Sequence, residues 1–302
     1  MDLDSFIITM FCHIEDALKE CFGKNAWRDL RRRGPSPILA DSEVLTMEAV
    51  GEYLGLRQDK AIFDYFRRHY CHFFPALSRL HRTTFTRQGA NLWLVKERLW
   101  GYFLMLTHHD EELALVDSFP LPVCRFARAR QCKRLREVSA FGKDVIARQT
   151  FYGMRVHARV CWPGVITRLE LAPANASELS VLPDLTEQTT GTVLGDRNYW
   201  SPRTKEELSQ KGVMLIAPFR SARRDLTPQP TKVSLVFSRV RYRIDTVFGQ
   251  LVERYSIKRL WARDLWHLSS RLLRQVLSHT LCFLLNQLLG KQPLQFAQLV
   301  VE

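Results

Sequence analysis

The chain has 302 residues, 46% of them hydrophobic and 25% charged. That composition supports a sizeable core and excludes a disordered chain or a small disulfide-stapled scaffold. With 44 Lys and Arg against 31 Asp and Glu, the net charge is +13, a surface that favours polyanions, nucleic acid above all, or an anionic membrane.

Taken in chain order, residues 1–112 read as a helical domain. Phe6, Ile7, Met10, Phe11, Ile14 and Leu18 follow helical spacing. The first twenty residues carry Asp2, Asp4, Glu15 and Asp16 and lack the basic start of a secretion signal. Arg31 to Pro37 reads as a break, punctuated by Gly34, Pro35 and Pro37. Asp41 is placed to cap a helix through Val44, Leu45, Val50 and Leu54. Further helices are expected at 59–70 and 87–108.

Beyond residue 112 the pattern becomes that of an α/β layer domain, 113–302. Leu113 to Val116 is a short apolar run ending in Asp117. Phe151 to Cys161 alternates like a strand, with Arg155, His157 and Arg159 on one face. Pro163-Gly164 is a hairpin turn, and Val165 to Leu171 its partner strand. A helix is expected over 178–185 and a second apolar run over 191–195, ending in Asp196. Then come a helix at 204–210, a strand at 213–217, and long helices at about 236–254 and 265–289.

Seven scattered cysteines without a C-x-x-C pair read as reduced thiols of a cytosolic protein rather than disulfides or a zinc site. The apolar stretch Val276 to Leu289 is short for a membrane span and is interrupted by His279, Asn286 and Gln287.

The charge is unevenly placed. Residues 1–112 carry 15 basic and 16 acidic residues. Segment 125–148 has 8 basic and 2 acidic, and segment 220–263 has 11 and 3; together they account for the whole excess. Two concentrated blocks read as contact surfaces, the alternative being solvated faces.

Asp117 and Asp196 each follow a strand-like run, and ligands gather at that edge of open α/β sheets. Two such carboxylates on neighbouring strands would suit Mg²⁺ or Mn²⁺; as an alternative they cap the following loops. Asp245 flanks the apolar stripe Val240, Ile244, Val247, Phe248 and Leu251. Arg241, one turn away, pairs with it or with a phosphate. Glu253 is a rival acid about 12 Å further along the helix.

The residues resemble the DDE-type insertion-sequence transposases, and most closely the insertion-sequence 982 family. The shared fragments are Arg33-Gly34, Asp41-Ser42-Glu43-Val44, Phe66-Arg67-Arg68, Phe74-Pro75-x-Leu77, Asp117 to Cys124, Gly195-Asp196-x-x-Tyr199 and Arg243 to Phe248. In combination they are specific. The resemblance implies an RNase H-like catalytic domain behind an N-terminal helical domain that binds DNA ends. It also implies that Asp117, Asp196 and Asp245 are the catalytic acids, holding two Mg²⁺ or Mn²⁺ ions. At 245 the family usually has Glu, one methylene longer.

On that reading the partners are double-stranded DNA, both terminal inverted repeats and target, and a second copy in a homodimer, with no membrane. The setting is the nucleoid-associated cytoplasm of a bacterium or archaeon. Arg125, Arg128, Arg130, Lys133, Arg134, Arg136, Arg197, Arg239, Arg241, Arg243, Arg254, Lys258 and Arg259 are the expected phosphate contacts. Arg31–Arg33 and Arg67-Arg68 are local basic clusters in the helical domain. Two other activities fit the same residues: a DNA-binding relic with weakened catalysis, and an RNase H-like nuclease without strand transfer. His108 to Glu112 reads as a solvated linker and His157 as a sheet residue. Trp93, Trp100, Trp261 and Trp266 read as core or interface aromatics, Trp261 lying among basic residues.

Overall fold

A computed structural model describes residues 1–23, 36–145, 147–218 and 231–301, the side chains of 231–239 excepted. Arg31 to Pro35, residues 220–230 of the second basic block and the side chain of Arg239 lie outside the described residues. The chain divides into two compact units, one of Met1–His108 with Leu251–Glu302, the other of His109–Gln250.

The first unit is helical: α1 (Leu3–Phe22), α2 (Asp41–Tyr53), α3 (Asp59–His69), α4 (Arg82–Asn91) and α5 (Trp93–Leu106). Two local expectations change. Ala40, not Asp41, is the cap of α2; its N–H donates to the Glu43 carboxylate at 2.6 Å. Asp41 is instead fully buried and accepts from Gln88 Nε2 at 2.7 Å. The single helix expected over 87–108 is two helices meeting at Leu92. There the Gly89 carbonyl serves side chains, accepting from Lys96 Nζ at 2.9 Å and Ser270 Oγ at 3.0 Å.

The last long helix, Leu265–Leu288, belongs with these helices and not with the sheet, so the expected 113–302 domain is divided differently. The reason is burial: nearly every side chain from Leu272 to Asn286 is enclosed. A helix apolar on all sides must be surrounded, and this one packs on α2, α4 and α5. Several polar residues meet partners inside the bundle. Lys96 pairs with Glu48 at 2.6 Å and donates to Ser270 Oγ at 2.7 Å. Arg274 bonds both Glu52 and Asp59, and Arg271 reaches Asp59 at 2.7 Å. Burial alone would raise the Asp59 carboxyl, but the two arginines hold it well below the usual carboxylate range.

The second unit holds β1 (Asp110–Pro122), β2 (Ala140–Asp144), β3 (Gln149–Trp162), β4 (Val165–Pro173), α6 (Glu178–Leu185), β5 (Gly191–Gly195), α7 (Pro202–Ser209) and β6 (Val213–Ile216). The helix α8 (Thr231–Glu253) follows, and the division between the units falls within it; Leu265–Leu288 is α9. The fold is mixed α/β. Strand order is β2-β3-β1-β5-β6, with β4 also on β3; β1, β5 and β6 are parallel, and β3 is antiparallel to its neighbours.

One face of this sheet is a core of Ala114, Val116, Val193, Val213 and Leu215 against Val181, Leu182 and Leu185 of α6 and Leu208 of α7. Strand β2 has no counterpart among the elements expected from the sequence, where its residues stand out only as part of a basic block. The stretch 110–112, expected as linker, begins β1. No helix among the described residues is long and apolar enough to cross a membrane.

Candidate active site

The register of the parallel strands places the first two acids. The last parallel pair is Val116 opposite Gly195. Asp117 is the next residue on β1, and Asp196 is the first residue beyond β5. Neighbouring strands run about 4.8 Å apart, and residues opposite one another share a face. Asp117 does not end its strand, as the apolar run before it suggests: β1 runs on to Pro122, paired with β3 alone.

The third acid arrives by helix packing. Asp117 shares a strand face with Phe119, two residues on. The Phe119 ring meets Phe248 of α8 at 4.8 Å between centroids. Arg241 of the same helix reaches the Asp117 carboxylate at 4.0 Å. Asp245 is four residues from Arg241 and therefore beside it on the helix surface. Arg241 thus pairs with the first acid, where helical spacing alone pairs it with Asp245.

The electrostatics report the same convergence. The Asp117 carboxyl is pushed up to about 6, chiefly by burial and then by the negative charges of Asp196 and Asp245. The Ser118 N–H, donating to it at 2.7 Å, and Arg241 offset only part of this. Asp196 also caps the turn Arg197–Tyr199, accepting from the Asn198 N–H at 2.8 Å and its side-chain amide at 3.1 Å. Capping and ligation are compatible, because each carboxylate oxygen has a further lone pair.

Behind the acids stand groups to which the sequence alone assigns no role. The Ser118 hydroxyl donates to Glu178, at the start of α6, at 3.2 Å and accepts from Arg155 at 3.1 Å. Glu178 and Arg155 are 3.7 Å apart. Tyr199 is fully buried, its hydroxyl without a partner among the described residues. Burial, then the charges of Asp117, Glu178 and Asp196, raises its phenol well above the ordinary value. Gly195 is required by this ring, since a Cβ there would lie 2.8 Å from Tyr199. The capping serine before Glu178 is a local signal, but the meeting of Glu178 with Ser118, 60 residues earlier, has none.

Donor chemistry fits divalent cations: three carboxylates, Asp117 and Asp196 half-buried and Asp245 exposed, with Arg241 opposing Asp117. Among the described residues no three ligand side chains stand close enough to form a ready-made cage. His157 is buried in the sheet, pushed down to about 4 by burial and by Arg155, and so neutral.

The expected phosphate contacts divide. Arg125, Arg128, Arg130, Lys133, Arg134 and Arg136 are all exposed, as are Arg197 and Arg259. Arg254 is engaged within the helical unit, where it donates to the Tyr53 carbonyl at 2.9 Å and lies over the Tyr53 ring. Arg243 lies over the Trp162 and Tyr242 rings. Lys258 is half-buried.

The profile of the Transposase DDE domain family matches residues 108–264, more than half of the chain. The chain belongs to the DDE transposase domain family. A transposase for insertion sequence element IS1106 from Neisseria meningitidis serogroup B is 32% identical over 113 residues. That alignment covers 35% of this chain and 38% of the relative, so the chain spans well under half of the relative's length. A cryo-EM structure of a piggyBac transposase synaptic complex with hairpin DNA aligns over 96% of this chain and 76% of its own, at 10% identity and TM-score 0.46. The family match spans all three acids and the basic segment 125–148.

Proposed function

We propose that this chain is an insertion-sequence transposase that binds element ends and performs metal-dependent strand cleavage and strand transfer. The observation that supports the proposal is that Asp196 and Asp245 both bear electrostatically on the half-buried Asp117 carboxyl, whose ionisation burial and their charges disfavour. Family membership and the mixed sheet support an RNase H-like reading of the unit, and the shared fragments favour the insertion-sequence 982 type.

Asp117, Asp196 and Asp245 would hold Mg²⁺ or Mn²⁺. Bound there, such ions would supply the activation of a water or 3′-hydroxyl and the stabilisation of the leaving oxygen in an in-line displacement. Asp117 is the central ligand, oriented by the Ser118 N–H and by the Arg155–Ser118–Glu178 bonds behind it. Arg241, 4.0 Å from the Asp117 carboxylate, would be available to a phosphate oxygen of bound DNA. Arg125, Arg128, Arg130, Lys133, Arg134, Arg136 and Arg197 hold the DNA backbone, without reading sequence. Two ends must be held together for joining, which favours a homodimer acting on chromosomal DNA in the cytoplasm.

The shorter acid at 245 gives the test. Asp245→Glu should retain Mg²⁺- or Mn²⁺-dependent cleavage and joining of end-bearing DNA, and Asp245→Asn should lose both. Cleavage without joining in the wild type would favour the nuclease reading. Binding without cleavage, restored by Asp245→Glu, would favour the weakened relic.

A further inference from the structure

Trp93 and Trp266 pack edge to face at 5.6 Å, and Trp100 is buried. Trp261 is placed differently. Its side chain is 55% exposed, while Leu260 before it and Ala262 after it are 5% and 3% exposed. Its φ is +52°, a left-handed conformation that costs a bulky residue on the order of 1 kcal/mol or more.

The surrounding contacts hold that conformation. Arg271, itself bound to Asp59, donates to the Leu260 carbonyl at 2.7 Å. Ile257, in the turn Ile257–Arg259, is fully buried. Asp264 then caps α9 through the His267 N–H at 2.9 Å. The segment is thus pinned on both sides of a tryptophan turned outward. Arg259 and Arg263, two residues to either side, are both exposed.

We propose that Trp261 is a stacking platform for an unpaired nucleobase, with Arg259 and Arg263 holding the flanking phosphates. The inference rests on the reading of the chain as a DNA-acting transposase. Charge selects the occupant: two exposed arginines beside an indole attract a polyanion. The ring supplies the rest, because every base has a face to stack and a pinned aromatic loses little entropy in doing so.

The test is fluorescence anisotropy with a labelled, fully paired duplex of arbitrary sequence and the same duplex carrying a short unpaired stretch, without divalent metal. Wild type should prefer the unpaired stretch by about 5- to 150-fold, the range of one base–aromatic stack. Trp261→Ala should remove the preference and leave fully paired binding within about twofold. Trp261→Phe should retain most of it, and Arg259→Gln with Arg263→Gln should lower the salt dependence on both DNAs. Equal loss on both duplexes, no preference in the wild type, or Trp261-dependent binding to anionic vesicles in its place would overturn the inference. Failure to bind any DNA would overturn the transposase reading too. Cleavage that survives Asp117→Asn, with the stacking preference intact, would overturn the catalytic reading alone.

Discussion

Asp117→Asn is expected to abolish metal-dependent DNA cleavage, by at least about 10³-fold, while making the metal-free protein more stable. Both effects have one cause. The carboxyl is partly buried and faces two further acids, so its ionised form is disfavoured in the folded chain unless a cation joins them. The ordinary aspartate value is 3.8 and the folded value about 6. Between those pH values the unfolded chain releases its proton first. Stability therefore falls as pH rises through this window, and the penalty is complete above pH 6. An asparagine escapes it. Chemical denaturation at pH 8 should show the variant more stable than the wild type by about 3 kcal/mol, with most of that difference gone near pH 4. A variant that loses cleavage and also loses stability would mean that Asp117 holds the sheet together rather than storing charge for a metal.

The second large effect is expected in the helical unit, which Arg274→Met should destabilise by roughly 3–5 kcal/mol. Arg274 is 1% exposed and its guanidinium meets Glu52 and Asp59, with Glu48 at 3.6 Å. Removing it leaves the carboxylates of α2 and α3 with less opposing charge in a dry interior, and Lys96 and Arg271 cannot cover the difference. Lowering the pH towards 5 should recover part of the loss, because the unpaired acids can then protonate. Thermal melts of the two proteins across that range measure it. A loss below about 1 kcal/mol would show that water reaches the cluster.

How much of this is legible in the sequence can be argued from particular residues. Helices declare themselves by period: Glu178 to Leu185 has the boundaries its pattern predicts, and the helix expected over 265–289 ends within one residue of that range. The acids are legible because Leu113–Val116 and Thr192–Gly195 are apolar runs, each closed by a carboxylate. What brings the two together is the pairing of Val116 with Gly195, a contact across 79 residues that no local pattern encodes.

Pro120 and Pro122 make the stretch after Asp117 look like a loop. It is strand nonetheless, because β5 pairs with β1 only as far as Val116. Beyond that point β1 has one neighbour, and prolines are tolerated where an N–H faces no partner. The destination of the last helix is hidden for a similar reason. The apolar residues of its second half say that it is enclosed, but not by which helices. Arg241 and Arg254 show the limit of charge counting: both lie in a basic block, yet one opposes Asp117 and the other covers Tyr53.

The most direct measurement is calorimetric titration of Mn²⁺ into the wild-type protein and the variants Asp117→Asn, Asp196→Asn and Asp245→Asn. If the three acids form one centre, each substitution should weaken Mn²⁺ binding by at least about tenfold. Wild-type affinity in Asp196→Asn or Asp245→Asn would contradict a shared site.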